Sequence, residues 1–320
     1  MVLIAVTGVV AALLGYSNWL SARSERMFPP LGQFVDADGV KLHYVDLGEG
    51  QPVVLVHGAS GSLRDYVLSI FGDVAQRSRA IAFDRPGHGY SERAPDNGAS
   101  PAVQARYLRA GLTEMGVEKP LLVGHSWGAS VVLAYALAHP DEISGVVLLG
   151  GATHPWKGSP PKWYNRIATT PLIGDLFVRL LVTPIGQASI AQGIENTFRP
   201  NEAPLLYKEQ AGVRLVLRPS NFRANAEDVS NLREFLAEQS KRYGELSVPL
   251  TIITGLKDGT VTPKIHSKAL HAQVPHSKLV TFEGVGHMPH HVRPAEVVAE
   301  IEALLRATSA PAWFQPTPGE

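Results

Sequence analysis

Cysteine is absent from the 320 residues, which removes disulfides, thiolate metal sites and cysteine nucleophiles together. Covalent catalysis must therefore run through oxygen or nitrogen, although the absence leaves the compartment open. Net charge is lacking too: 29 Lys plus Arg balance 29 Asp plus Glu, so no overall field draws nucleic acid or an acidic partner. Internal repeats and low-complexity blocks are missing as well, and no motif calls for a metal or a cofactor. What remains is a chain with 45% hydrophobic residues, long enough to bury one large core or two modest ones without cross-links. The composition leaves the oligomeric state open.

The first twenty residues differ in kind from the rest. No charge occurs from Val2 to Leu20, and Val2 to Leu14 is almost wholly apolar, about the length that crosses a bilayer at roughly 1.5 Å per residue. Tyr16 and Trp19 fall where interfacial aromatics are favoured, and Arg23 and Arg26 follow. Residues 1–22 are expected to be a membrane anchor, with a cleaved signal segment as the alternative; a positive stretch before the apolar run and a small-residue cleavage site are both missing. Because the arginines follow the apolar run, the positive-inside rule favours the cytoplasmic face for the remainder. Cleavage would instead give an exported protein.

After Pro29-Pro30, runs around Gln33–Val35 and Lys41–Leu47 flank the turn signal Asp36-Ala-Asp-Gly39 and read as a hairpin. Apolar β-branched runs recur at Val53–Val56, Arg79–Phe83, Leu121–Val123, Val146–Leu149, Leu250–Thr254 and Lys278–Phe282. Most precede a segment of helical periodicity, and that alternation implies a parallel sheet covered on both faces. It lapses between 153 and 247, where Leu172–Leu181 and Asp228–Arg242 are amphipathic helix candidates and no buried strand is apparent. Residues 33–152 and 248–306 thus form the α/β core, 153–247 a helical insertion, and 307–320, rich in Pro and Ala, a loosely ordered tail.

Within the core, Leu121-Leu-Val-Gly-His-Ser-Trp-Gly-Ala-Ser130 sets Gly124-x-Ser126-x-Gly128 between an apolar strand and the helix formers Val131–Ala138. Small residues two positions either side permit a sharp strand-to-helix turn that lifts the serine hydroxyl clear of the sheet. The turn also aims the free N–H groups of the following helix at charge developing on a bound carbonyl. Ser126 is the candidate nucleophile.

A serine hydroxyl needs a base and an orienting acid, and after such an elbow the chain order is acid, then histidine. Val248-Pro-Leu-Thr-Ile-Ile-Thr-Gly-Leu-Lys-Asp258 places Asp258 at the carboxyl end of a buried strand, whereas Gly150 to Trp156, after the preceding strand, holds no carboxylate. Asp258 is the candidate acid. His287, in the Gly-flanked loop after the last strand, is the candidate base; His290 and His291 compete but read more simply as helix-entry polarity. Glu283 precedes His287 and has no place in that order. The loop Val53-Val-Leu-Val-His-Gly-Ala-Ser-Gly-Ser62 follows an early strand, where the second oxyanion donor arises in this architecture. Ala59 and Trp127 are the candidate backbone donors, with His57 and Gly58 shaping the loop.

Taken with Asp84-Arg-Pro-Gly-His-Gly-Tyr-Ser91 and Gly255-Leu-Lys-Asp258, these motifs resemble the α/β-hydrolase superfamily over roughly residues 33 to 306. The resemblance is to capped members, similar to esterases, carbon–carbon bond hydrolases and epoxide or haloalkane hydrolases. It implies a mostly parallel sheet of the eight-stranded type, a cap formed by the insertion, and a structural role near the active site for Asp84–Ser91. Epoxide and haloalkane hydrolases carry Asp at the nucleophile position, where this chain has Ser126.

That serine favours acyl transfer. The expected activity is hydrolysis of carboxylic esters, or related acyl bonds, of small hydrophobic substrates, through Ser126, His287 and Asp258 and an acyl-enzyme. Carbon–carbon bond hydrolysis by the same three residues, and a non-catalytic membrane-tethered accessory module, are the alternatives; perhydrolysis is a conceivable side activity. Substrate identity lies beyond what periodicity can deliver.

Overall fold

The computed structural model describes residues 1–157 and 162–309. Eight strands form one sheet in the order β1-β2-β4-β3-β5-β6-β7-β8. They are β1 Gln33–Ala37, β2 Val40–Leu47, β3 Pro52–Val56, β4 Arg79–Phe83, β5 Leu121–His125, β6 Gly145–Leu149, β7 Leu250–Gly255 and β8 Lys278–Phe282. Strand β2 runs antiparallel to both β1 and β4, and every pairing from β4 through β8 is parallel. The central strands β5, β6 and β7 are buried along their whole length. Their unbroken apolar runs reflect cover on both faces.

The pleat divides the core. Along β5, Leu122 packs with Val132 and Tyr135 on one face, while Leu121 and Val123 pack with Val297 and Ile301 on the other. Five uninterrupted α-helices among the described residues frame the fold: α1 Val2–Met27, α2 Pro101–Glu114, α3 Trp127–Ala138, α4 Pro219–Gln239 and α5 Pro294–Ser309. Helices α2 and α3 cover the first face and α5 the second. Each fully buried aliphatic side chain contributes about 1.5–3 kcal/mol, so this two-faced core dominates the stability.

Between β6 and β7 the chain is helical, and no strand occurs there among the described residues. The expected helix Leu172–Leu181 starts one residue later, with Leu172 as its cap, and continues in a longer run, Ile173–Phe198, interrupted by a π turn at Val178–Val182. The expected Asp228–Arg242 helix begins earlier, at Pro219. Helix α1 continues past residue 22 to Met27, just before Pro29-Pro30. Helix α5 extends to Ser309, so the expected tail begins later than residue 307 and its residues 310–320 lie outside the described residues.

Candidate active site

Ser126 joins β5 to α3 with φ 50° and ψ −116°, a left-handed conformation that costs a side-chain-bearing residue on the order of 1–3 kcal/mol. Surrounding bonds hold it there: its N–H donates to Leu149 O at 3.0 Å, and its carbonyl accepts from Ala129 at 3.1 Å and Ala152 at 3.0 Å. The flanking glycines are required sterically. A Cβ on Gly128 would lie 2.6 Å from His57 O and closer still to Val56 O, and one on Gly124 would lie 2.7 Å from Ala129 Cα.

The structure brings Asp258 and His287 to this turn. His287 Nε2 is 2.9 Å from Ser126 Oγ, and His287 Nδ1 is 2.8 Å from Asp258 Oδ2. The other oxygen, Asp258 Oδ1, accepts the N–H groups of Thr260 and Val261, each at 2.8 Å. A carboxylate so fixed accepts a hydrogen bond from Nδ1–H and keeps the proton on that nitrogen, which leaves Nε2 free to accept from the serine hydroxyl. Gly150 permits the closure: with φ 51°, a Cβ there would press within 3.3 Å of Asp258 Oδ2 and 3.4 Å of His287 Nδ1. All three side chains are buried.

The loop after β3 lies directly against the elbow, since a Cβ on Gly58 would sit 3.0 Å from Ser126 Cβ. His57 shapes that loop. Its Nδ1 donates to Gly58 O at 2.7 Å and its Nε2 accepts the Arg85 N–H at 3.0 Å, while burial, with the Arg85 charge beside it, pushes the imidazole down to about 4. The N–H of Trp127 opens α3, where no intrahelical carbonyl can accept it. Ala59 is next to Ser60, whose N–H donates to Asn225 Oδ1 at 2.7 Å.

Asn225 belongs to a polar face of α4 that sequence periodicity missed. Asn221, Asn225 and Asp228, spaced by a turn each, are all buried. Asn221 Nδ2 donates to Gly87 O at 2.8 Å; Asp228 Oδ2 accepts from Arg85 Nη1 at 2.7 Å, and its carbonyl accepts from Trp127 Nε1 at 3.2 Å. The Arg85 guanidinium in turn lies 4.2 Å above the Trp127 ring. The insertion is thus bonded to the residue that follows the candidate nucleophile.

His290 and His291 are directed elsewhere. Their Nε2 atoms lie 2.8 and 2.9 Å from the two oxygens of Asp65, and Tyr207 Oη donates to the same carboxylate at 2.8 Å. Burial alone would raise the Asp65 carboxyl, but the two imidazoles hold it well below the ordinary carboxylate value. The ligand-type atoms of Asp65, His290 and His291 lie within 4.8 Å of one another, yet these hydrogen bonds already account for the arrangement. No signal in the sequence pointed to Asp65. Glu283 is exposed in the loop after β8.

A family model for the alpha/beta hydrolase fold matches residues 51–294. The chain belongs to that family. It is 27% identical over 297 residues to an uncharacterized protein of Mycobacterium tuberculosis, covering 90% of this chain and 84% of the relative. It is 26% identical over 286 residues to haloalkane dehalogenase 2 of the same organism, covering 86% and 95%. A solved esterase from Thermogutta terrifontis superposes with a TM-score of 0.69 at 24% identity, covering 87% of this chain and 100% of that one. A meta-cleavage product hydrolase from Pseudomonas fluorescens superposes at 0.64 with 20% identity, covering 88% and 99%. These superpositions speak to the shared hydrolase fold.

Proposed function

We propose that this alpha/beta hydrolase cleaves carboxylic esters of small hydrophobic substrates, with Ser126 as nucleophile, His287 as general base and Asp258 as the orienting acid. The observation that carries the reading is the continuous hydrogen-bonded line from Asp258 Oδ2 through His287 to Ser126 Oγ, at 2.8 and 2.9 Å, on a backbone strained at the serine.

In the first half-reaction Ser126 Oγ bonds to the ester carbonyl carbon while its proton passes to His287 Nε2. The N–H groups of Ala59 and Trp127 receive the oxyanion; one such donor is worth about 3–4 kcal/mol. The tetrahedral centre collapses, the C–O bond breaks, and His287 returns the proton to the departing alcohol. Water then repeats the sequence on the acyl-enzyme, releasing the acid and restoring Ser126. The buried imidazolium is stabilised by Asp258 during both halves.

The insertion 153–247 serves as a cap over the candidate active site, a reading supported by its bonds to Ser60, Arg85 and Trp127. Apolar α1 attaches the enzyme to a membrane, with the remainder on the cytoplasmic face. The test is hydrolysis of p-nitrophenyl esters of graded chain length together with fluorophosphonate labelling. Ser126→Ala is expected to lose labelling and to lower turnover by at least about 10⁴-fold while the protein stays folded. Undiminished turnover in that variant, or turnover of dienoic keto acids with none of esters, overturns the proposal.

A further inference from the structure

We infer that α1 does not cross a bilayer alone but lies in one leaflet beside the exposed apolar side of the run Ile173–Phe198, the two forming a single docking surface for the acyl region of a phospholipid membrane. The inference rests on the membrane attachment proposed above and gives it a geometry.

By length α1 could span: 26 residues extend about 39 Å, against about 30 Å of hydrocarbon. A helix crossing alone meets lipid on every side, and α1 does not. Ser17, Leu20 and Ser24 are buried and Val10, Leu13 and Leu14 half-buried, a stripe at helical spacing. Helix α1 packs against Val178–Val182, Thr183–Gly186 and Val213–Leu217. Only the residues before Val10 are free all round, a length of about 14 Å, less than half the hydrocarbon thickness. If the uncharged stretch to Leu20 enters lipid, the elements packed along its second half reach the membrane with it.

Those elements, together with residues 172–177 that lead into them, carry the matching surface. Leu172 is 88% exposed and Ile185 63%, with Ile173, Leu176 and Leu181 also exposed. Leu172 further holds φ at 62°, so a large apolar side chain stands in a disfavoured backbone conformation with little among the described residues to cover it. Insertion into acyl chains offsets that exposure. The polar boundary falls where this depth requires: Tyr16 stacks on Trp19 at 5.8 Å and the Arg23 guanidinium lies 5.3 Å over the Trp19 ring, a pairing suited to the headgroup level. An apolar face immersed beside its helix at that level is the arrangement of a monotopic protein.

The lack of cysteine makes the test direct. Full-length Val9→Cys, Leu172→Cys and exposed Lys241→Cys variants are labelled with an environment-sensitive fluorophore and reconstituted in phosphatidylcholine vesicles, with or without bromination of the acyl chains. The expected result is quenching by brominated lipid at 9 and 172, several-fold stronger than at 241. Quenching at 9 alone overturns the inference and leaves the anchor standing. Quenching at neither overturns the anchor as well, and equal quenching at 172 and 241 overturns the inference as non-specific contact. An unquenched label at 172 with energy transfer between copies assigns the face to a second chain and also overturns it.

Discussion

Two histidine–carboxylate clusters stand close together in this molecule, and they differ in how their hydrogen bonds are arranged. His287 bonds Asp258 through Nδ1 and presents Nε2 to Ser126 Oγ. His290 and His291 bond Asp65 through Nε2, and the Nδ1 of His290 is buried without a hydrogen-bond partner among the described residues. The first cluster is a line with a hydroxyl at its end; the second is a hub, one carboxylate receiving two imidazoles and the Tyr207 hydroxyl. The rings of His125 and His290 lie 4.6 Å apart, and those of His125 and His287 4.9 Å. Proximity and residue type are therefore shared, and what separates the clusters is the strained serine at one of them.

The comparison breaks most visibly in activity. His287→Gln is expected to lower kcat/KM for an ester by on the order of 10⁴-fold, whereas His290→Gln keeps it within about tenfold, at a stability cost of about 1–3 kcal/mol. An equal loss of turnover in folded His290→Gln would give the second cluster a part in the chemistry. Removing the two acids reverses the emphasis. Asp65→Ala strands two imidazoles and a phenol in the interior, and urea unfolding is expected to report a loss of about 3–5 kcal/mol with ester turnover per folded molecule retained. Asp258→Ala loses turnover instead.

Acid sharpens the picture at a third histidine. His57, held down to about 4 when folded, has a usual value near about 6.5 in an unfolded chain. Above that value neither state holds the proton. As pH falls from about 6.5 to about 4 the unfolded chain binds a proton that the folded chain refuses, so stability declines, by on the order of 3 kcal/mol from this group, and levels off below. Urea midpoints measured across that interval check the sign; a flat profile refutes it. The smallest effect belongs to Tyr207→Phe, which removes one hydrogen bond to Asp65 and is expected to cost about 1 kcal/mol, visible as a small drop in Tm with turnover unchanged.

How much of this could be read from the sequence depended on how local each constraint is. The elbow was legible because Gly124, Ser126 and Gly128 are fixed by backbone contacts within a few residues and with one neighbouring strand. The glycine-flanked loops that carry Asp258 and His287 were legible because each ends a short apolar strand. Helix α4 was read only from Asp228 onward because its first turns bury Asn221 and Asn225, and a search for apolar period passes over a polar buried face. The run from Ile173 was cut short because a π turn at Val178–Val182 shifts the phase of its apolar residues. Asp65 lies 225 residues from His290, a separation that no local pattern bridges.

Asp228 has a consequence for how the sequence can drift. It receives Arg85 and Arg93 through its two carboxylate oxygens and the Trp127 indole through its backbone carbonyl, so a substitution there takes the carboxylate from both guanidinium groups at once and reaches the Trp127 ring through the Arg85 guanidinium above it. Positions on the outer side of α4 can change one at a time. Asp228 is tied to its partners, and exchange of the insertion for one of another shape, as when a hydrolase acquires a new substrate, has to bring a carboxylate to the same place or leave the buried Arg85 charge and the half-buried Arg93 charge without it.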